Sequence, residues 1–143
     1  MKGKTPLQSV REIDVRFSEL DPLNVVWHGN YIKYFEDGRE DFGYKYDISY
    51  CDIRNAGVMA PIVSVNCNFK KFVKYGDKLQ IETSYVFSPA AKIILEYIIR
   101  RLSDNEIVAE GSTTQVFTDF EGNLLLLPPR FFTDWKQKWG FNI

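Results

Sequence analysis

Five stretches of the chain alternate between apolar and polar residues with the period of two that is typical of β-strands. Their bounds are residues 10–17, 63–69, 79–87, 92–102 and 106–118. Turn residues separate the later stretches, which favours short connections between antiparallel neighbours. Ile94 and Ile98 lie opposite the main apolar face of the fourth stretch, which indicates burial on both faces, and Gly111 is expected to mark a bulge. The positions that share one face are Ile13, Val15 and Phe17, then Val63, Val65, Cys67 and Phe69, then Leu79, Ile81, Thr83, Tyr85 and Phe87, then Ile93, Leu95, Tyr97 and Ile99.

One longer stretch, from about Asn30 to Tyr46, changes to the spacing of three and four that predicts a helix with one buried face. Gly38 lies on that face, and close approach of a sheet would explain it, whereas the sequence offers no reason for Gly43. A single long helix with about five antiparallel strands predicts an α+β fold in which the sheet wraps the helix. A helical turn is expected between residues 46 and 61, and a short terminal helix from Pro128 onward. The apolar stripe of the long helix is Tyr31, Tyr34, Phe35, Gly38, Phe42 and Tyr46.

Composition narrows the class of protein. The chain has 143 residues, 45% of them hydrophobic, which predicts one domain spanning residues 1–143. A formal net charge of −1 gives no reason to expect a nucleic-acid partner. The first residues lack the apolar core of a signal peptide and no run is long enough to span a membrane, so a cytoplasmic location is expected. With two cysteines and one histidine, a zinc site is not expected, and Cys67 is predicted to be a core residue.

An acidic loop, Asp21-Pro22-Leu23-Asn24, joins the first strand to the long helix. Pro22 disfavours helix at Asp21, and Asn24 tolerates a left-handed backbone, so the chain must bend here. Asp21 therefore lies just before a helix N-terminus, where backbone N–H groups lack partners and the dipole is positive. Two interpretations follow: an aspartate that stabilises the turn or caps the helix, or an acid that works beside an anion-binding site.

The run from Asp21 to Tyr31, DPLNVVWHGNY, together with EDGRE at Glu36–Glu40, resembles the 4-hydroxybenzoyl-CoA thioesterase family and its YbgC-like acyl-CoA thioesterases. The resemblance implies a hot-dog fold and a thioester hydrolase that acts on an acyl- or aryl-CoA, or on an acyl carrier protein thioester. One departure is Asn24, which replaces the glycine of the family's loop; it keeps the turn and alters the approach of the backbone to a substrate.

By the same resemblance, Asp21 is the catalytic carboxylate, acting as a general base on water or as a nucleophile through an acyl-enzyme anhydride. The backbone N–H of His28 matches the family's oxyanion donor. The His28 side chain either orients water or the thioester, or simply packs or caps. No cofactor is expected, because coenzyme A is part of the substrate, and with two cysteines and a single histidine no metal is expected either.

Candidate substrate contacts surround this loop. Trp27 and Tyr31 are expected to line an acyl or aryl pocket, although either is as well suited to the core. Glu19 is a possible second acid, but a solvated position is the expectation. The phosphates of coenzyme A have candidate partners in the KKFVK run, which contains Lys70, Lys71 and Lys74.

The resemblance also implies a homodimer or a dimer of dimers, with active sites built across the subunit interface. Pairing would protect exposed sheet edges. Two other functions stay open at this stage: a hot-dog dehydratase or hydratase on hydroxyacyl thioesters, and a non-catalytic module that binds acyl-CoA.

Overall fold

The structure, a computed structural model, describes residues 3–141. Five strands form one antiparallel sheet in the order β1-β3-β4-β5-β2, which leaves β1 and β2 at its edges. The sheet wraps α1, the long helix, so the predicted α+β arrangement is confirmed. The elements are β1 (Gly3–Asp14), a 3-10 turn (Phe17–Glu19), α1 (Gly29–Lys45), α2 (Tyr50–Asn55), β2 (Ile62–Phe69), β3 (Lys78–Phe87), β4 (Lys92–Arg101), β5 (Glu106–Val116) and α3 (Arg130–Lys138).

The apolar stripe of α1 packs against the concave face of the sheet, and all six of its predicted residues are buried. The Phe35 ring stacks on that of Tyr97, with ring centroids 4.4 Å apart. Gly38 is needed because a Cβ there would collide with Thr83 and Ile81 of β3, which confirms the expected close approach. At Gly43 a Cβ would lie 2.9 Å from the Cα of Ser49, so the tight turn into α2 explains the second glycine.

The first strand differs from its prediction at both ends. It begins at Gly3, because an edge strand tolerates Pro6 on its free side and the register shifts between Lys4 and Gln8. It ends at Asp14, the last residue paired with β3. Phe17 therefore leaves the strand and is 75% exposed, so the prediction that it shares the strand's buried face is wrong.

Two further predictions in the sheet need correction. Gly111 pairs with Cys67 and Tyr97 without a register shift, so it marks no bulge. Glycine is required there because a Cβ would collide with the backbone carbonyl oxygen of Asn66 in β2 and lie 2.7 Å from the Phe35 ring. Cys67 is half-buried rather than a full core residue, because its strand lies at the edge of the sheet.

The edge strand β2 exposes apolar side chains. Val63 is 60% exposed, Val65 40% and Phe69 52%, so the apolar residues that alternate along this strand are largely accessible in the single chain. Nothing within the described chain covers the free side of this strand. The terminal helix α3 forms as predicted and buries Phe132 and Trp135, and the Trp135 ring packs edge-on against that of Tyr85 in β3.

Candidate active site

The Asp21 loop is a tight hairpin. The N–H of Asp21 donates to the carbonyl of Val25 (2.9 Å), and the N–H of Asn24 donates to the carbonyl of Asp21 (2.9 Å). Asn24 takes the left-handed backbone that the turn needs, with φ of 62°. Asp21 is half-buried, and its Oδ1 accepts a bond of 2.8 Å from the N–H of Leu23. Its Oδ2 has no donor within residues 3–141, so this oxygen is available to a substrate or to water.

This bond to Leu23 is the turn-stabilising role that the sequence left open for Asp21. It engages only one of the two carboxylate oxygens. The aspartate does not cap α1, because the helix begins at Gly29 with His28 in the N-cap position. The structural role and a chemical role are therefore compatible at the same side chain.

Three hydrogen bonds clamp the exit of the loop. The N–H of Val26 donates to the carbonyl of Val73 (2.8 Å), which joins the loop to the KKFVK segment after β2. The N–H of Trp27 and the side-chain amide of Asn30 both donate to the carbonyl of Glu19, each at 2.9 Å. The loop, the start of α1 and the end of β2 consequently meet at one place.

Two backbone donors point out of the start of α1. Within the described part of the chain, neither the N–H of His28 nor that of Gly29 has a protein acceptor. Gly29 is required because a Cβ there would run into the Trp27 ring, which folds back over it. Unpaired N–H groups at a helix N-terminus are suited to stabilise negative charge.

Aromatic side chains surround these donors. The His28 ring makes no capping bond and lies 5.0 Å from the Trp27 ring and 6.1 Å from Phe69, centroid to centroid. Trp27 is 49% exposed, so it is accessible to a ligand. Tyr31 is only 3% exposed and packs edge-on against Phe69 at 5.2 Å, which makes it a core residue of the single chain. Burial raises the pKa of Tyr31 to about 12, so its phenol stays protonated.

The three candidate lysines lie in the segment that the loop contacts. Lys70 forms an ion pair with Glu110 at 3.2 Å. Lys71 and Lys74 are exposed and have no acidic partner among residues 3–141. Arg101 holds the segment in place by donating to the carbonyl of Phe72 at 2.7 Å. The structure thus brings two unpaired cations near the Asp21 loop.

Glu19 is the site residue that sequence reasoning misjudged. It is half-buried, and its Oε1 accepts bonds from the Tyr34 hydroxyl (3.0 Å) and from the N–H of Arg16 (2.7 Å). The expectation of a solvated side chain is therefore wrong. No local pattern signals this contact, because Tyr34 is fifteen residues away and reaches Glu19 only when α1 folds back against the turn.

A second feature that the sequence did not predict is a cleft of about 700 Å³. It lies beside the middle and C-terminal half of α1, away from the Asp21 loop. An ion pair of Glu36 with Arg39 lines it, and burial raises the pKa of Asp37 there against the opposing charge of Arg11. Its apolar lining includes Phe42, Ile48, Ile53, Ile62, Ile93 and Leu95.

Other chemistries find little support in the described residues. Burial raises the pKa of the Cys67 thiol to about 11, which disfavours a thiolate nucleophile. Within residues 3–141 no group of three His, Cys, Asp or Glu side chains is arranged to hold a metal ion. No helix in the same range is long and apolar enough to cross a membrane.

Known proteins resemble this chain over most of its length. A model of the thioesterase-like superfamily matches residues 15–136. YneP of Bacillus subtilis (strain 168), provisionally named as an acyl-CoA thioesterase, is 28% identical over 127 residues, which are 89% of this chain and 91% of YneP. The structure of DHNA-CoA thioesterase from Staphylococcus aureus has a TM-score of 0.81 and 30% identity, covering 92% of this chain and 88% of that chain. The protein belongs to the thioesterase-like superfamily.

A third comparison supports the fold. A variant 4-hydroxybenzoyl-CoA thioesterase in complex with 4-hydroxybenzoyl-CoA has a TM-score of 0.77 over 89% of this chain, at 20% identity. Together these findings confirm the predicted hot-dog fold and the predicted enzyme class, a thioester hydrolase.

Proposed function

We propose that the protein hydrolyses acyl-CoA thioesters at the start of α1, with Asp21 as the working carboxylate. One observation carries this proposal: within residues 3–141, Oδ2 of Asp21 has no donor, and its loop is hydrogen-bonded to a helix N-terminus whose first N–H groups have no protein acceptor. The coenzyme A thioesters named for the relatives support the substrate class. An acyl carrier protein thioester is the alternative form of the same substrate.

The chemistry follows from these groups. The thioester carbonyl oxygen accepts hydrogen bonds from His28 N–H and Gly29 N–H, which stabilise the oxyanion by on the order of 3 kcal/mol per donor. Asp21 either removes a proton from the attacking water or attacks the carbonyl carbon itself to give an anhydride that water then opens. In both routes the C–S bond breaks, and the thiolate leaves without acid assistance.

The test is thiol release by wild-type protein and by Asp21→Asn against short, long and aryl CoA thioesters, and against an acyl carrier protein thioester. The substitution keeps the shape and removes the charge, so we expect kcat to fall by at least about a hundredfold. Asp14→Asn, an exposed aspartate of β1, is the matched control and should keep full turnover. Equal turnover by Asp21→Asn and wild type would refute the proposal.

We further propose that two copies pair along the free edge of β2. Unpaired edges with exposed Val63, Val65 and Phe69 favour association. A two-fold axis across antiparallel β2 strands would bring the cleft of one copy, lined at Ile62, towards the end of β2 in the other. The acyl group would then lie between the Asp21 loop of one copy and the cleft of its partner. Pairing of two such dimers would give the predicted tetramer.

Disrupting the edge tests this assembly. We expect Val65→Lys to dissociate the dimer, measured by sedimentation, and to abolish turnover, because each site would lose its second half. Val10→Lys is the matched control: it lies on the opposite edge strand, is 50% exposed and should leave both properties unchanged. A fully active Val65→Lys monomer would contradict the composite site.

We also propose that Lys71 and Lys74 bind the phosphates of coenzyme A. Reversing both charges should raise KM for a CoA thioester about tenfold or more, because each lost phosphate contact costs binding. The same acyl group on N-acetylcysteamine, which has no phosphates, is the control and should keep its KM. Equal KM increases for both substrates would refute phosphate recognition.

The same assays test the two other functions, a dehydratase or hydratase on hydroxyacyl thioesters and a non-catalytic acyl-CoA-binding module. A dehydratase needs a histidine paired with an acid, and within residues 3–141 the His28 side chain has no hydrogen-bonded acid. No specific observation favours that function or a silent acyl-CoA-binding module. A cytoplasmic location stays a prediction from the sequence.

A further inference from the structure

The residue that joins the Asp21 loop to α1 is Glu19. Its carbonyl accepts from Trp27 N–H at the loop exit and from the Asn30 amide in the first turn of α1. Its carboxylate accepts from the Tyr34 hydroxyl, one turn further along the same helix. A single residue therefore contacts two successive turns of α1 and the far side of the loop.

These contacts are buried on the helix side. Tyr34 is 2% exposed and Asn30 is 8% exposed, so water competes poorly for either donor. Burial, and next the negative charge of Glu19, raise the pKa of Tyr34 well above its ordinary value, so the phenol keeps its proton and donates. Bonds from a donor to an ionised acceptor are stronger than neutral ones and hold a narrower geometry.

The position of Glu19 in the chain links these bonds to the chemistry. Asp21 follows two residues later, and Leu20 between them pairs with Val26 across the hairpin. Any rotation of the 3-10 turn relative to α1 would move the Asp21 carboxylate relative to the N–H groups of His28 and Gly29. A displacement of about 1 Å at reacting groups costs on the order of a hundredfold in rate.

We propose that Glu19 is a positioning residue. The bond from Tyr34 to its carboxylate and the bond from Asn30 to its backbone carbonyl hold the Asp21 carboxylate at a fixed position relative to the oxyanion donors of α1. This inference rests on the proposed function of Asp21. Glu19 is not itself a second catalytic acid, because its side chain is directed at α1, where it accepts from the Tyr34 hydroxyl, rather than at the Asp21 loop.

The kinetics of four single variants test this role. Glu19→Ala should lower kcat about 10- to 100-fold and change KM less than about twofold, because Asp21 is displaced while substrate contacts remain. Glu19→Gln keeps a side-chain oxygen that can accept from the Tyr34 hydroxyl and from the N–H of Arg16, so this variant should retain kcat within about threefold. Tyr34→Phe removes the same bond from the helix side and should lower kcat in the same direction. Glu12→Ala, an exposed glutamate of β1, is the control and should match wild type.

A double variant separates positioning from general loosening of the fold. If Glu19 acts only through Asp21, Glu19→Ala has no further effect in an Asp21→Asn background. The inference is wrong if Glu19→Ala lowers the residual rate of Asp21→Asn by the same factor as it lowers the wild-type rate. It is also wrong if Glu19→Ala and Tyr34→Phe both keep the wild-type kcat. Retention of wild-type turnover by Asp21→Asn would instead overturn the proposed function, so the two failures are distinguishable. Should Glu19→Ala not fold, Tyr34→Phe and its double variant with Asp21→Asn decide the question.

Discussion

At Gly38, α1 packs directly against β3, and Gly38→Ala tests this packing quantitatively. An added Cβ would collide with the Thr83 hydroxyl and lie 2.8 Å from Cγ2 of Ile81. Both side chains are fully buried, so neither can move aside freely. Overpacking of this kind costs about 1 to 3 kcal/mol.

The same substitution carries an opposing benefit, because alanine is favoured over glycine in a helix by about 1 kcal/mol. With two contacts on β3, the upper part of the overpacking range applies, and the net loss should be about 1 to 2 kcal/mol. For a domain of this size that corresponds to a Tm decrease of about 3 to 6 °C. Urea unfolding followed by far-UV circular dichroism, at one protein concentration, measures the free-energy change directly.

A double variant with Thr83→Ala makes the test specific. The Thr83 hydroxyl is buried with no hydrogen-bond partner in the described chain, so its removal alone forfeits no polar contact. Since it also removes one of the two colliding atoms, Gly38→Ala should cost less in the Thr83→Ala background than in wild type. Gly38→Ala at or above wild-type stability, or identical costs in both backgrounds, would show that α1 does not pack against β3 as described.

Three further outcomes are expected. Burial raises the pKa of Cys67 to about 11, so roughly 0.1% of this thiol is thiolate at pH 8. Iodoacetamide should therefore label the exposed Cys51 far faster than Cys67, which peptide mapping measures. Equal labelling rates would contradict the burial of Cys67. Burial lowers the pKa of Lys136 below its ordinary 10.5, so the folded chain binds this proton less tightly than the unfolded chain does. Burying the charged amine costs folding free energy at pH 7, and this cost disappears as the pH rises towards 10.5 and the amine loses its proton. The Tm of wild type should consequently improve relative to Lys136→Met between pH 7 and pH 10, and a constant difference would refute this. Asn24 has φ of 62°, a backbone conformation that alanine adopts less readily than asparagine or glycine. Asn24→Ala should therefore lower the free energy of unfolding by about 1 kcal/mol, and Asn24→Gly by less than about 0.5 kcal/mol. Equal losses in thermal unfolding would argue against a left-handed turn at this position.

Periodicity predicted the strands and α1 well because both depend on local spacing. The stripe from Tyr31 to Tyr46 is buried throughout, and Asn24 takes the left-handed conformation expected of it. The predicted ends of β1 were wrong because the length of this strand depends on which residues of β3 are available for pairing. Gly111 was misassigned for a similar reason: glycine is needed there because the Asn66 carbonyl and the Phe35 ring, both from distant parts of the chain, lie against it.

The sequence alone determined the order of elements, the bend at Asp21 and the resemblance that indicated a thioesterase, because each depends on residues close together in the chain. Only the tertiary structure decided that Glu19 binds Tyr34, that the loop docks on Val73 and that β2 leaves apolar side chains exposed. These contacts join residues far apart in sequence, and their geometry follows from how the sheet wraps α1. Such packing depends on the summed shape of many side chains, and no local pattern of residues encodes it.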